Sequence, residues 1–250
     1  MTERDIRAVV PVYAQHHLTA ALLDDVAREA IDVSIVDNEG GYEPFGSETV
    51  LRPGTNLGWA GGCNYGMARA FEEGCELCVL LNNDTRLSRG FFAGLNQAWI
   101  DSRAGLVAPV FNDVWPQHYV AHQGSAEEYV PAVATRAVGF VDGTCMAVPR
   151  STYRAVGALD ADRFGHFGWG AEMDYSLRVR GAGLAVVVTE RSFLTHVRQA
   201  TGRALCAEYE VQAGADMNAG MTAKWGRDWQ RLLDDPHCSG SGVASLPGAG

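Results

Sequence analysis

The chain has 250 residues, 47% of them hydrophobic, and its 30 acidic against 20 basic side chains give a formal net charge of -10. This length predicts one α/β domain with a sizeable core over residues 1–235, followed by a disordered Gly-, Ser- and Ala-rich tail at 236–250. The acidic balance argues against nucleic acid or an anionic membrane as a main partner, because both require a basic surface.

The sequence carries no recognisable signal for export or membrane insertion. Residues 1–7 mix both charge signs, the apolar stretch at 8–12 is too short for a signal peptide, and no segment approaches the 18 or so apolar residues of a membrane span. The six cysteines are scattered, and Cys75 and Cys78 have no second pair to complete a zinc site, so we predict reduced thiols that pack in the core. We expect a soluble, cytoplasmic protein.

Strands and helices alternate in the first half of the chain. A β-rich segment at 6–13 precedes helical spacing at 18–30 and a strand at 33–36. The next predicted elements are a short strand at 50–51, a helix that ends near 71, a strand at 77–81, a helix at 88–100 and a strand at 105–110. This alternation predicts a mostly parallel, doubly wound sheet.

The second half of the chain is less regular. Residues 116–136 show no clear period and predict a loop or hairpin, after which 138–148 forms an apolar strand interrupted by Asp142-Gly143-Thr144. A helix at 171–180, a strand at 184–189 and a helical region at 208–233 complete the predicted elements.

A glycine-rich stretch at 56–66 leads into the second helix. It suggests a phosphate-binding loop, because glycines let the backbone approach phosphates at a helix start. The familiar fingerprints do not fit: there is no Gly-x-Gly-x-x-Gly, and the phosphate-loop spacing of Gly61 and Gly66 is followed by Met67-Ala68 rather than Lys-Ser/Thr. A tight turn with close helix packing is the alternative, and the residues alone leave both open.

Two predicted strands end on an acidic residue. The strand at 77–81 runs into Asn82-Asn83-Asp84, and the strand at 33–36 runs into Asp37. Open α/β sheets bind ligands at the carboxyl ends of their strands, so we predict a metal or phosphate contact for Asp84 and a ribose or base contact for Asp37. The alternatives are a helix N-cap before Ser88 for Asp84 and a turn cap for Asp37.

These stretches, in this order, resemble the family 2 glycosyltransferases, and within them the rhamnosyltransferase-like branch. The resemblance covers roughly the first two hundred residues and rests on the whole set of motifs. The matching motifs are Val10-Pro11-Val12-Tyr13, Val36-Asp37-Asn38, Asn56-Leu57-Gly58-Trp59-Ala60-Gly61-Gly62-Cys63-Asn64, Leu80-Leu81-Asn82-Asn83-Asp84-Thr85, Asp142-Gly143-Thr144-Cys145-Met146, Gly168-Trp169-Gly170-Ala171-Glu172-Met173-Asp174-Tyr175-Ser176-Leu177-Arg178 and His196. The resemblance implies an α/β fold of the GT-A (nucleotide-diphosphosugar transferase) type, with a Rossmann-like, mostly parallel central sheet flanked by helices.

The resemblance also implies a metal site. Asn82-Asn83-Asp84 stands for the Asp-x-Asp motif that holds a divalent cation against the donor diphosphate, and since Asn82 replaces the first acid, Asp84 would be the main carboxylate ligand. His196, after a strand-like segment at 191–194, matches a histidine that many relatives use as a further ligand, although a lone histidine is more often structural. The implied cofactor is Mn²⁺ or Mg²⁺, because hard cations prefer oxygen ligands.

Glu172 and Asp174 are the predicted catalytic acids. On a helix they point about 200° apart, so both face one site only if the first lies before the helix begins. Relatives carry a Glu-Asp-x-Asp motif before a helical Arg, and the second acid of this motif is the general base. Alignment of the motif on Asp174 and Arg178 puts Glu172 in the position of the base. Residues 168–172 also resemble a galactosyltransferase motif. Alignment on these residues puts Met173 in the position of the base, and Glu172 would then bind the acceptor substrate. Both alignments make Asp174 a structural partner, and which acid is the base stays open.

The other motif residues predict substrate contacts. Trp59 and Trp169 could stack on sugar faces or pack in the core. His166, Phe167 and the segment Asp142-Gly143-Thr144 could line the same cleft. The predicted substrate-binding residues are Pro11, Tyr13, Asp37, Asn38, Asn56, Gly58, Trp59, Gly61, Asn64, Asn82, Asn83, Gly143 and Trp169.

The predicted activity is metal-dependent, inverting sugar transfer. A hexosyl or deoxyhexosyl group would pass from a UDP-, GDP- or dTDP-linked donor to a hydroxyl or amine of a small molecule or glycan, in natural-product or cell-surface glycan synthesis. The cation would offset the diphosphate charge and a carboxylate would take the acceptor proton.

Two other functions compete with sugar transfer. A nucleotidyltransferase usually has a glycine-rich loop with a basic residue after the first strand, where this chain has Pro11-Val12-Tyr13-Ala14-Gln15. A catalytically silent nucleotide-sugar or carbohydrate-binding protein is favoured by Asn82 and Met173, which stand where acids are common.

Overall fold

The computed structural model describes residues 5–112, 115–165, 167–197 and 207–234. The predicted tail at 236–250 and the predicted cleft residue His166 therefore lie outside the described residues, as do Cys206 and Cys238.

The described strands and helices follow the predicted alternation. The strands are β1 (Ile6–Val12), β2 (Asp32–Asp37), β3 (Thr49–Leu51), β4 (Leu77–Leu81), β5 (Thr85–Leu87), β6 (Leu106–Phe111), β7 (Thr135–Ala137), β8 (Cys145–Pro149) and β9 (Val186–His196). The helices are α1 (His16–Val26), α2 (Gly58–Glu72), α3 (Phe91–Ser102), α4 (Arg150–Val156), α5 (Ala161–Phe164), α6 (Ala171–Gly181), α7 (Ala207–Trp225) and α8 (Trp229–Asp234). None of these helices combines the length and the apolar character needed to cross a lipid bilayer.

All described strands belong to one sheet, in the order β3-β2-β1-β4-β8-β6-β9-β5, with β7 paired to β9 outside this path. β3, β2, β1 and β4 pair in parallel, and so do β6 and β9. β8 is antiparallel to both β4 and β6, so these two groups of strands run in the same direction. Only β5, β7 and β8 run the other way, which confirms the predicted mostly parallel sheet.

Helices cover both faces of the sheet. Successive residues of a strand point to opposite faces, and in β1 the side chain of Val9 packs in a cluster with α2 and α6, while Val10 packs in a second cluster with α1 and α3. In the described residues Cys63, Cys75, Cys78 and Cys145 are buried free thiols. The predicted core packing of Cys75 and Cys78 is therefore confirmed.

Three local predictions differ from the structure. The predicted strand at 138–148 is a strand only from Cys145 onward, as β8, and β7 ends before it at Ala137. The 142–144 segment forms a turn in which the Thr144 N–H donates to the Asp142 carboxylate. The strand-like pieces at 184–189 and 191–194 form the single strand β9, which pairs with β6 through a register shift after Pro109. Asp84 precedes strand β5 rather than a helix, so the N-cap alternative for Asp84 is wrong.

The glycine-rich stretch forms the start of α2 rather than a loop. Gly62 and Gly66 lie one turn apart and face β1 and β2; a Cβ atom on Gly66 would lie 2.3 Å from Cγ1 of Val9 and 3.0 Å from Cγ2 of Val36. Only glycine lets the helix approach the sheet this closely. The close-packing alternative is confirmed for these two glycines.

Gly66→Ala is expected to destabilise the protein by about 1–3 kcal/mol, because the added methyl group overpacks the contact between α2 and β1. Gly214→Ala in α7 is the matched control, since a Cβ there meets nothing within 4 Å and alanine favours a helix. Urea unfolding monitored by circular dichroism measures both changes. A Gly66→Ala midpoint equal to that of wild type would contradict the packing argument.

Candidate functional site

Asp84 and His196 meet at the carboxyl edge of the sheet. β5 pairs with β9 so that Thr85 lies opposite His196, and the N–H of Val197 donates to the carbonyl oxygen of Asp84 at 2.8 Å. The imidazole Nε2 of His196 lies 3.2 Å from Oδ1 of Asp84. The structure thus brings together the two residues predicted as metal ligands.

This pair has the chemistry of a partial cation site. Mg²⁺ takes ligands at about 2.0–2.1 Å, so two adjacent ligands on one ion lie about 3 Å apart, and an imidazole with a carboxylate suits Mn²⁺ or Mg²⁺. Within the residues that the structure describes, no group of three or more His, Cys, Asp and Glu side chains could hold a metal. The described part of the chain therefore offers two such ligands, which fits a cation completed by substrate oxygens and water.

Trp59 joins three segments of this region. Its indole Nε1–H donates to Oδ1 of Asn82 at 2.8 Å. A Cβ atom on Gly143 would lie 3.0 Å from the ring, and one on Gly168 would lie 3.1 Å from it. The Trp59 ring therefore packs against Gly143 and Gly168, where any larger residue would be too close. Through these contacts Trp59 links Asn82, which follows β4, to the 142–144 turn and to the loop before α6.

Glu172 lies in the first turn of α6, beside the 142–144 turn. The helix begins at Ala171, so the condition that Glu172 precede the helix is not met, and the two predicted acids do point apart. Oε2 of Glu172 accepts a hydrogen bond from the N–H of Gly170 at 3.1 Å. Burial, with the negative charge of Asp142 as the next cause, raises the pKa of Glu172 to about 8.

Asp174 is occupied by structural contacts. Its carboxylate is fully buried and accepts from Nε of Arg178 at 2.9 Å and from Nε1 of Trp225 at 2.9 Å. It also forms an ion pair with Nζ of Lys224 at 2.8 Å. These contacts tie α6 to the end of α7, and they confirm the predicted Asp174/Arg178 pair.

The 142–144 turn is anchored by a histidine that the sequence did not single out. The N–H of Asp142 donates to Nε2 of His118 at 3.0 Å, and Nδ1 of His118 lies 2.9 Å from the carbonyl oxygen of Pro109. His118 is fully buried and stacks on Phe111 with 4.3 Å between ring centroids. It lies in the region 116–136, whose irregular pattern gave no signal for this contact.

Asp37 and Asn38 stabilise the loop that follows β2. The Asp37 carboxylate accepts from the N–H groups of Gly40 at 2.7 Å and Tyr42 at 3.0 Å. Asn38 donates through Nδ2 to the carbonyl oxygen of Gly58 at 3.2 Å. The turn-cap alternative for Asp37 is present, and both side chains are buried.

Asn64 and Asn83 also use their amides within the protein. Asn64 donates to and accepts from the backbone of Leu159, at 2.8 and 2.9 Å, and Asn83 donates to Oγ1 of Thr19 at 3.0 Å. Asn56 accepts from the N–H of Gly58 at 2.9 Å, at the start of α2. These predicted contact residues position the loops around the site.

Tyr13 and Trp169 offer open aromatic surface. Tyr13 follows β1 and is 45% exposed, and Trp169, directly before α6, is 40% exposed. Pro11 and Gly61 are half-buried. Exposed aromatic faces are suited to stacking on a sugar or base.

Comparison with other proteins finds mycobacterial relatives that match most of this chain and most of their own length. No family model matches the chain. Uncharacterized protein Rv1525 of Mycobacterium tuberculosis is 40% identical over 206 residues, which cover 82% of this chain and 79% of the relative. Uncharacterized protein Mb1552 of Mycobacterium bovis matches to the same extent.

Two solved structures share the fold. GalNAc-T7, crystallised with UDP, GalNAc and Mn²⁺, superposes with a TM-score of 0.61 at 11% identity, covering 79% of this chain and 44% of that chain. TarS 1–349 of S. aureus, in complex with UDP, superposes with a TM-score of 0.55 at 12% identity, covering 91% of this chain and 69% of that chain. The chain spans less than half of the GalNAc-T7 chain, and these similarities establish the GT-A glycosyltransferase fold.

Proposed function

Because the chain belongs to the same family as the mycobacterial protein Rv1525 and has the GT-A fold, we propose that it is a metal-dependent, inverting glycosyltransferase of family 2, in the rhamnosyltransferase-like branch. It moves a hexosyl or deoxyhexosyl group from a nucleotide-diphosphosugar to a hydroxyl or amine of a small molecule or glycan. UDP is the nucleotide to test first, because both solved structures of this fold contain it. The observation that carries the proposal is the Asp84/His196 pair at the carboxyl edge of the sheet.

Asp84 and His196 are the residues that hold Mn²⁺ or Mg²⁺ in this proposal. A cation held there would supply positive charge that offsets the diphosphate of the donor. Asn82 and Asn83 lie directly before Asp84, and Trp59 holds the side chain of Asn82. Pro11, Tyr13, Asn82 and Asn83 are among the proposed substrate contacts.

Glu172 is the proposed base. Its carboxylate takes the proton of the acceptor hydroxyl or amine, and a single in-line displacement then inverts the anomeric carbon. The Gly170 N–H holds one carboxylate oxygen, and Asp174 fixes the helix through Arg178. The exposed ring of Trp169 stands three residues before Glu172 and is the proposed acceptor platform.

The second candidate is a nucleotide-sugar-binding protein without turnover. Asn82 in place of an acid favours it, and so does the finding that no third His, Cys, Asp or Glu side chain among the described residues joins Asp84 and His196. A panel of UDP-, GDP- and dTDP-sugars with Mn²⁺ separates the two candidates by product formation. Binding of UDP by wild type without hydrolysis or transfer from any donor in the panel would favour the silent protein.

Asp84→Asn is expected to weaken Mn²⁺-dependent UDP binding by at least about 10–100-fold. Loss of an outer-shell partner of a metal site already has an effect of this size, and Asp84 is the only carboxylate in the proposed pair of ligands. Isothermal titration of UDP, with Mn²⁺ and with EDTA, measures this effect. Asp24→Asn, the same change at an exposed position of α1, is the matched control. Unchanged metal-dependent affinity in Asp84→Asn would make the metal assignment wrong.

A further inference from the structure

The backbone positions of Asp84 and His196 are set by strand pairing, but the orientation of the imidazole ring needs a further contact. Nδ1 of His196 lies 3.4 Å from the hydroxyl oxygen of Thr144. The other ring nitrogen, Nε2, faces Asp84 at 3.2 Å. Thr144 is buried at 3% exposure, so its hydroxyl contacts protein groups.

The direction of these hydrogen bonds decides which nitrogen carries a hydrogen. The Thr144 hydroxyl has one hydrogen and donates it to Oδ1 of Asp142 in a short hydrogen bond. An ionised carboxylate only accepts, so the Thr144 oxygen can only accept from His196. In this arrangement Nδ1 of His196 carries a hydrogen. Nε2 then has its lone pair for a cation placed between it and Asp84; without a cation, an Nε2–H would donate to Asp84 across the 3.2 Å contact.

The Asp142 carboxylate holds Thr144 in place for this role. Oδ1 of Asp142 also accepts the Thr144 N–H at 2.9 Å, and the Asp142 N–H donates to His118 at 3.0 Å. Gly143, between them, packs against Trp59. The turn is therefore anchored on both sides, and a rigid hydroxyl is presented to the histidine.

We propose that Thr144, held by Asp142, is a positioning residue that orients the His196 imidazole so that Nε2 is available to a divalent cation beside Asp84. The inference rests on the proposed function, since it assigns His196 as a ligand. It adds a residue from the 142–144 turn to a site whose predicted ligands come from the segment between β4 and β5 and from the end of β9. Outer-shell partners of metal-ligating histidines fix the ring orientation in this way.

Thr144→Val removes the hydroxyl and keeps the shape of the side chain. We expect it to weaken binding of Mn²⁺ alone, measured by electron paramagnetic resonance titration, by about 10–100-fold. Thr144→Ser restores a hydroxyl and is expected to restore affinity to near that of wild type. Thr152→Val is the matched control, because the Thr152 hydroxyl is buried and has no hydrogen-bond partner among the described residues.

A thermal melt of each variant shows whether it is folded at the assay temperature, and Thr144→Ala replaces Thr144→Val if the latter is not. Wild-type Mn²⁺ affinity in the hydroxyl-free variant would overturn the inference while the Asp84/His196 site stands. Equal loss in Thr144→Ser and Thr144→Val would also overturn it, because a purely structural role is then sufficient. Absence of Mn²⁺ binding by wild type would instead overturn the metal part of the proposed function, and the inference with it.

Discussion

Glu172→Gln is expected to lower the rate of sugar transfer by about 10²–10⁴-fold, the range typical of a lost general base. Gln keeps the size of the side chain and its acceptor oxygen for the Gly170 N–H, which now donates to Oε2 at 3.1 Å. It cannot take a proton from the acceptor. Binding of UDP with Mn²⁺ should stay within about twofold of wild type, because Asp84 and His196 are untouched.

The measurement is kcat for transfer from whichever donor of the panel wild type accepts. Glu72→Gln, the same change at an exposed position of α2, should leave kcat unchanged. Loss of UDP affinity together with kcat would indicate a donor contact rather than a base. Full turnover by Glu172→Gln would exclude Glu172 from proton transfer.

The pH dependence provides a separate check on the same residue. Burial, and after it the charge of Asp142, raises the pKa of Glu172 to about 8, so the free protein holds this group protonated at neutral pH. A base acts only when deprotonated, so kcat/KM should rise with pH through about 8.

Folding stability should change in the opposite direction. The pKa of Glu172 is near 4.5 in the unfolded chain and about 8 in the folded one, so the unfolded state releases the proton first. The stability contribution of this group is present below about pH 4.5 and is lost as the pH rises towards 8. Glu172→Gln removes this loss, and its stability relative to wild type should increase between pH 5 and 8 in urea unfolding.

Asp174→Asn is expected to give the largest loss of stability, about 3–5 kcal/mol, because it breaks a buried ion pair and leaves charge without a partner. Asp174 is fully buried, and the amide would face the cations of Arg178 at 2.9 Å and Lys224 at 2.8 Å. Asparagine retains an acceptor for Trp225 but cannot neutralise Arg178, whereas Lys224 keeps its ion pair with Asp160 at 2.9 Å.

Urea unfolding at pH 7 measures this loss, with Asp24→Asn on the surface of α1 as the matched control. The two variants in α6 should separate the proposed catalytic role of Glu172 from the structural role of Asp174. Glu172→Gln is expected to lose turnover and stay folded, whereas Asp174→Asn is expected to lose stability. A change below about 1 kcal/mol in Asp174→Asn would show that its contacts to α7 contribute little.

The sequence by itself determined the alternation of strands and helices in the first half of the chain and the strand ends where a ligand can bind. The apolar run that forms β4 ends at Leu81 as predicted, and the following Asn82-Asn83-Asp84 lies at the carboxyl edge of the sheet. The Asp174/Arg178 pair was also predictable, because residues four apart share one face of a helix. These features depend on local residue patterns and on the alternation of strands and helices along the chain, and both can be read from the sequence.

Only the tertiary structure decided how the polar side chains are used. Asp37 was predicted as a ligand contact, and its carboxylate caps its own loop. His118 gave no signal, and it anchors the turn at Asp142. The hydroxyl of Thr144, just before β8, contacts His196 at the end of β9, although 52 residues separate them in the sequence. Each of these contacts joins segments brought together by the order of strands in the sheet, and a hydrogen bond depends on distance and direction that residue type and spacing do not encode.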